Sequence, residues 1–202
     1  KKKELLLFII AVNLLLVWLS KTVLITETVF FNTYSEQMTY ERSMELFKKI
    51  RELSWISYLF TPLILVIKFS VLSLVVYIGF FICGLQKQVT LGMIFTIVVA
   101  SEIVIVLASL SKFLWFAFFA GNYTMDEINF FYPLSLINLF GQNEVAKYWI
   151  CPLQSVNLFQ VAYILMLAIG LAKISSVQRG KSDIIVLLTY SSAFILWIAF
   201  IM

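Results

Sequence analysis

Five long apolar runs divide this chain, and each is near the length of about 20 residues that a helix needs to cross a bilayer. Hydrocarbon offers no water to satisfy backbone N–H and C=O groups, so runs of this kind fold as helices. The predicted spans are residues 5–24, 57–85, 89–110, 158–172 and 184–202. Composition agrees: 62% of the residues are hydrophobic, 13% are charged and the mean hydropathy is +0.98, whereas a soluble domain is about half apolar and about a quarter charged. The predicted fold class is all-α, a polytopic membrane protein of five transmembrane helices with short outer interfacial helices. Residues 1–202 form a single five-span domain in this reading.

Charge sets the orientation. Lys1 to Lys3, Lys87 in "GLQKQ", and the group Lys173, Arg179 and Lys181 fall on one side of the predicted spans. The positive-inside rule then puts the N-terminus in the cytoplasm and, after an odd number of spans, the C-terminus outside. The net charge of +4 and pI near 9.0 follow from topology and imply no nucleic-acid partner, because the basic residues form no face interleaved with aromatics. The first run has the basic start of a secretory signal but is too long, and "LSKTVLITE" has no small-residue cleavage site, so it is read as a retained anchor.

Histidine is absent, which excludes His-based triads and His metal sites. No Walker loop, GxSxG or HExxH occurs, so no catalytic residue, metal or cofactor is predicted and the protein is read as no enzyme. Cys83 and Cys151 lack CxxC spacing and are expected to be buried, inert thiols.

Two connecting segments carry helix signals. Thr33 and Glu36 have capping-box spacing, and Tyr40, Met44, Phe47 and Ile50 recur at helical intervals, which predicts an amphipathic helix docked along that stripe. Thr124 and Glu127 repeat the capping-box spacing in the second segment. There, in "NFFYPLSLINLFG" (residues 129–141), Pro133 is expected to begin a second short helix and Gly141 to end it. Asn143 is the expected cap of "EVAKYWIC", which Pro152 stops. A segment this apolar and this broken cannot face lipid tails with exposed backbone, so it reads as a roof on the bundle. Phe130, Phe131, Tyr132 and Trp149 are its candidate partner-binding anchors, because large aromatics dominate protein interfaces.

Lys68 in "LILVIKFSVL" and Glu102 in "IVVASEIVIVL" interrupt otherwise apolar spans. Counted from Gln86 and Gln88 in the intervening turn, they lie 18 and 14 residues away, so their depths differ by about 6 Å at 1.5 Å per residue. A charge at mid-span costs about 2.5–3.5 kcal/mol on insertion scales, so the two are predicted to form an intramembrane ion pair. Such a pair is either a bolt between spans two and three or part of a proton or ion path. The bolt takes precedence, because a path needs further polar groups at matching depth. The candidates, Asn13, Ser70, Ser73, Ser101 and Tyr190 to Ser192, also serve ordinary helix packing.

The run "FYPLSLINLFGQNEVAKYWICPLQSVNLFQVAYILMLAIGLAK" (residues 131–173) resembles the C-terminal half of the Yip family of five-span, Rab-interacting-type membrane proteins, in its bacterial branch. The elements that carry the likeness are "PLSL" at Pro133, "PLQSVNLFQ" at Pro152 and "LAIGLAK" at Leu167, with "TPLILVIK" at the start of span two. The resemblance implies a polytopic helical fold without catalytic residues, in a bacterial cytoplasmic (inner) membrane. The family's eukaryotic members carry a long cytosolic region before span one, where this sequence has four residues, so Rab binding is not expected. The leading functional expectation is a non-enzymatic accessory subunit, in contact with membrane lipids and another membrane protein subunit, that binds or regulates a membrane complex such as an ABC-type exporter. The alternative is a small permease or ion-coupled carrier working through Lys68 and Glu102.

Overall fold

The computed structural model describes residues 2–35, 37–142, 144–175 and 177–201, and of Ile201 only the backbone. Lys1, Glu36, Asn143 and Met202, on which expectations above rest, lie outside the described residues. Among the described residues the regular structure is helical, apart from one isolated antiparallel bridge between Ser135 and Asn157.

Helix α1 (Lys2–Leu19) runs into a π-helical turn (Ser20–Leu24), and α2 (Glu27–Tyr34) and α3 (Tyr40–Glu52) form the first connecting segment. The long α4 (Trp55–Ile82) is joined to α5 (Leu91–Leu114) by a tight turn in which Gly84 adopts φ +71°, a left-handed conformation that glycine takes without steric cost. α5 also ends in a π-helical turn (Trp115–Phe119). The roof segment follows: α6 (Met125–Phe130), one 3₁₀ turn (Leu136–Leu139) and α7 (Lys147–Ser155). Two further helices, α8 (Leu158–Ile174) and α9 (Arg179–Ile201), complete the chain.

Among the described residues, four stretches are long and apolar enough to cross a membrane: Lys2–Leu24, Trp55–Ile82, Leu91–Phe119 and Arg179–Phe200. α8 is apolar but, at 17 residues, shorter. These apolar helices make the protein a membrane-embedded one. α5 is the central helix, packing against α1, α4 and α8, while α9 closes against α4 and α8. The core they share holds Phe69, Val76 and Phe80 of α4, Val98 of α5, Tyr163 and Leu167 of α8 and Val186 of α9. Two glycines set how closely these helices approach. A Cβ on Gly79 would lie 2.1 Å from Thr189 Cγ2, and one on Gly170 would lie 2.6 Å from Ile97 Cγ2. Small residues at such crossings let backbones come together where lipid supplies no hydrophobic drive.

Local signals were redirected by tertiary contacts at several places. Thr33 is not a cap but sits within α2, where its hydroxyl donates to Val29 C=O and accepts from Met125 N–H; α3 is instead preceded by Thr39. The docked stripe of α3 is narrower than predicted. Ser43 and Phe47 are buried, Phe47 against Phe30 with ring centroids 5.5 Å apart, while Tyr40 and Ile50 stay exposed. Pro133 opens a turn, not a helix, and Leu134 after it takes φ 52°, which a helix cannot follow. Pro152 lies inside α7, which ends only at Val156, where the backbone leaves helical dihedrals. The last helix begins at Arg179, before the apolar run that predicted it at residue 184. Both cysteines are exposed, Cys83 just beyond the end of α4 and Cys151 on α7.

Candidate functional site

Lys68 and Glu102 stand near the middles of antiparallel helices α4 and α5. The ammonium donates to both carboxylate oxygens, at 2.6 Å to Oε1 and 2.8 Å to Oε2. The partners are unequally sheltered: the Glu102 side chain is 2% exposed and that of Lys68 is 37% exposed. The carboxylate is therefore held from within the bundle, and the lysine reaches it from the rim, passing 6.0 Å from the Phe69 ring centroid.

Tyrosines of α8 and α9 also lie in the helical core. Tyr163 and Tyr190 face each other with ring centroids 5.6 Å apart, and Gln160 donates its side-chain amide to the Tyr190 hydroxyl. Tyr132 comes from the roof. Burial pushes its phenol above the ordinary tyrosine range, and the Glu102 charge pushes it the same way. The buried hydroxyls of Ser101 and Tyr163 have no protein partner. Four of the other path candidates close on their own helices. Asn13, Ser70, Ser73 and Ser192 each donate to the carbonyl four residues back.

The roof is braced by its own hydrogen bonds and tied to the turn after α1 through Tyr123. The capping box of α6 is complete, with Thr124 Oγ1 accepting from Glu127 N–H and the Glu127 carboxylate accepting from Thr124 N–H. Gln154 of α7 donates to the carbonyls of Asn129 and Phe130, and the Tyr123 hydroxyl donates to Leu24 C=O at 3.2 Å.

Of the four predicted anchors, three are partly buried. Phe131 lies flat against Trp115, with centroids 5.7 Å apart and planes at 14°, and meets Phe116 edge-on. Phe130 and Tyr132 are half-buried. Trp149 alone among them is an exposed ring, beside Tyr148 at 6.1 Å. The large apolar side chains that the roof turns outward are instead Leu134, Leu136, Leu139 and Phe140, with Leu139 78% exposed, while Ile137 between them is fully buried. The alternation of "PLSLI", with Pro133, Ser135 and Ile137 buried and Leu134 and Leu136 exposed, was the available signal. Its orientation depends on the left-handed turn at Leu134.

No family model matches the chain, and neither does any curated protein or any solved structure, so the likeness drawn above rests on the quoted runs.

Proposed function

We propose that this chain is a non-enzymatic, five-span subunit of the bacterial inner membrane that binds another membrane complex through its roof, in the manner that the resemblance to the Yip family implies. α8 is the fifth span: 17 residues rise about 26 Å, at the lower end of what crosses a bilayer, and the roof seals the end where it falls short. The placement of Lys87, Lys173, Arg179 and Lys181 supports a cytoplasmic N-terminus and an external C-terminus.

The single observation that supports docking is the division of labour in the roof. Its inner residues are fixed to the bundle, and its outer face presents Leu134, Leu139, Phe140 and Trp149 from a backbone too broken to face lipid tails. A rigid apolar platform binds with little ordering cost. The occupant is another integral membrane protein, with an ABC-type exporter as the first choice. Purification of the tagged chain in mild detergent, followed by mass spectrometry, tests this. A stoichiometric membrane partner, lost when Leu139 and Phe140 are both changed to Ser, supports the reading; a lone homo-oligomer refutes it.

One observation favours a carrier. The Glu102 carboxylate is buried in the bundle, and two other buried hydroxyls there, of Ser101 and Tyr163, have no protein partner, which a proton or cation relay could use. Flux through the purified chain reconstituted alone in liposomes, abolished by Glu102→Gln, would replace the docking reading.

A further inference from the structure

A cavity opens on the side of the ion pair toward the start of α1, with Ser70 two residues from Lys68 and Val99 one turn from Glu102 in its lining. It holds about 400 Å³ between the start of α1, the middle of α4 and the first turns of α5, within the range of small-molecule sites. Its deep wall is apolar in effect. Ser70, Ser73 and Thr96 line it, but each hydroxyl donates to the carbonyl four residues back on its own helix, so a polar solute finds those protons already committed. A Cβ on Gly92 would meet nothing within 4 Å, so the space extends to the α5 backbone there. Along α5 the lining from Leu91 to Val99 spans about 12 Å from the helix start toward the membrane interior. Charge appears only at the rim, where Lys2 and Lys3 are exposed.

An apolar slot with a cationic rim at the membrane surface fits an amphiphile with an anionic head. We propose that this cavity binds one anionic phospholipid of the leaflet that meets the start of α1, with an acyl chain in the slot and the phosphate on Lys2 and Lys3. The slot's open side leaves the second chain in the bilayer. A diacyl phospholipid is favoured over a free fatty acid because two lysines at the rim match a headgroup held at interfacial depth, where each basic residue attracts anionic lipid.

The test uses the full chain, purified in detergent and incubated with phosphatidylglycerol, phosphatidylcholine or oleate, with bound lipid counted by native mass spectrometry. Phosphatidylglycerol should be retained roughly tenfold more strongly than phosphatidylcholine, about 1.4 kcal/mol. Oleate should be retained no better than phosphatidylcholine. The double change Lys2→Gln with Lys3→Gln should erase the preference for phosphatidylglycerol. Gly92→Phe, which fills the slot, should lower retention of both phospholipids while circular dichroism keeps its helical signal. If Gly92→Phe does not fold, Thr96→Leu serves the same purpose. Retention unchanged by the filled slot, a headgroup preference that survives loss of both lysines, or oleate retained as well as phosphatidylglycerol would each overturn the proposal.

Discussion

Ser135 of the roof and Asn157 at the start of α8 face each other across an antiparallel bridge, closed by hydrogen bonds from Leu136 N–H to Val156 C=O and from Leu158 N–H to Leu134 C=O, each 3.1 Å. Asn157 does a second job. Its Oδ1 accepts from Gln160 N–H at 2.7 Å and caps α8, while its Nδ2 donates to the carbonyls of Gln154 and Ser155. One side chain thus fixes the helix start, the end of α7 and the line along which the roof meets the bundle.

Asn157→Ala should therefore cost about 1–2 kcal/mol, the upper part of the range for a lost cap. Asn157→Asp, which keeps the capping acceptor but not the two amide donors, should cost less. Thermal unfolding in detergent gives the ranking. Hydrogen exchange should rise in residues 131–142 for the alanine variant if the roof hangs on this bridge.

Lys68 and Glu102 should behave as a coupled unit. Removing one partner of a buried pair typically costs about 3–5 kcal/mol, and replacing both with apolar groups of similar volume is often neutral. Lys68→Met and Glu102→Leu should each destabilise, and the double variant should recover at least about 1 kcal/mol of the summed loss. Additive effects in a thermal-unfolding cycle would mean that the contact contributes no coupling.

The approach of α4 to α9 should tolerate nothing larger than glycine at residue 79. Gly79→Ala drives a methyl into Thr189 Cγ2 and should cost about 1–3 kcal/mol, as overpacking does. Thr189→Ala removes the obstructing methyl, so it should restore part of the loss in the double variant. The unfolding midpoints of the two single variants and the double variant provide the check.

The two native cysteines test orientation without engineered sites. Both are exposed, at opposite ends of the bundle: Cys83 near the α4–α5 turn and Cys151 on the roof. In intact cells an impermeant maleimide should modify Cys151, and it should reach Cys83 only after permeabilisation. The reverse pattern would invert the topology.

What was legible in the sequence follows from how costly each feature is to hide. Two charges inside apolar helices stand out because mid-membrane charge is expensive, and helix rise alone brings Lys68 and Glu102 to similar depth. The Thr124–Glu127 capping box is local, and three residues suffice to announce it. Phe131 was opaque for the opposite reason. Its ring is taken up by Trp115 and Phe116, which lie on the far side of a turn and of α6, so no nearby residue marks it as internal. Thr33 likewise reads as a cap until Met125, 92 residues away, claims its hydroxyl. The outward set of the roof hinges on one left-handed residue, Leu134, and a leucine announces no such conformation.

The proposed docking sets the outer face of the roof against another membrane protein. A photoreactive phenylalanine analogue placed singly at positions 139, 140 and 149, and at buried position 137 as the control, tests it in living cells by irradiation before solubilisation. One discrete protein adduct, shared by 139, 140 and 149 and absent from 137, is the expected result. Adducts with lipid alone from the three outward positions, with the chain folded and inserted, would contradict it.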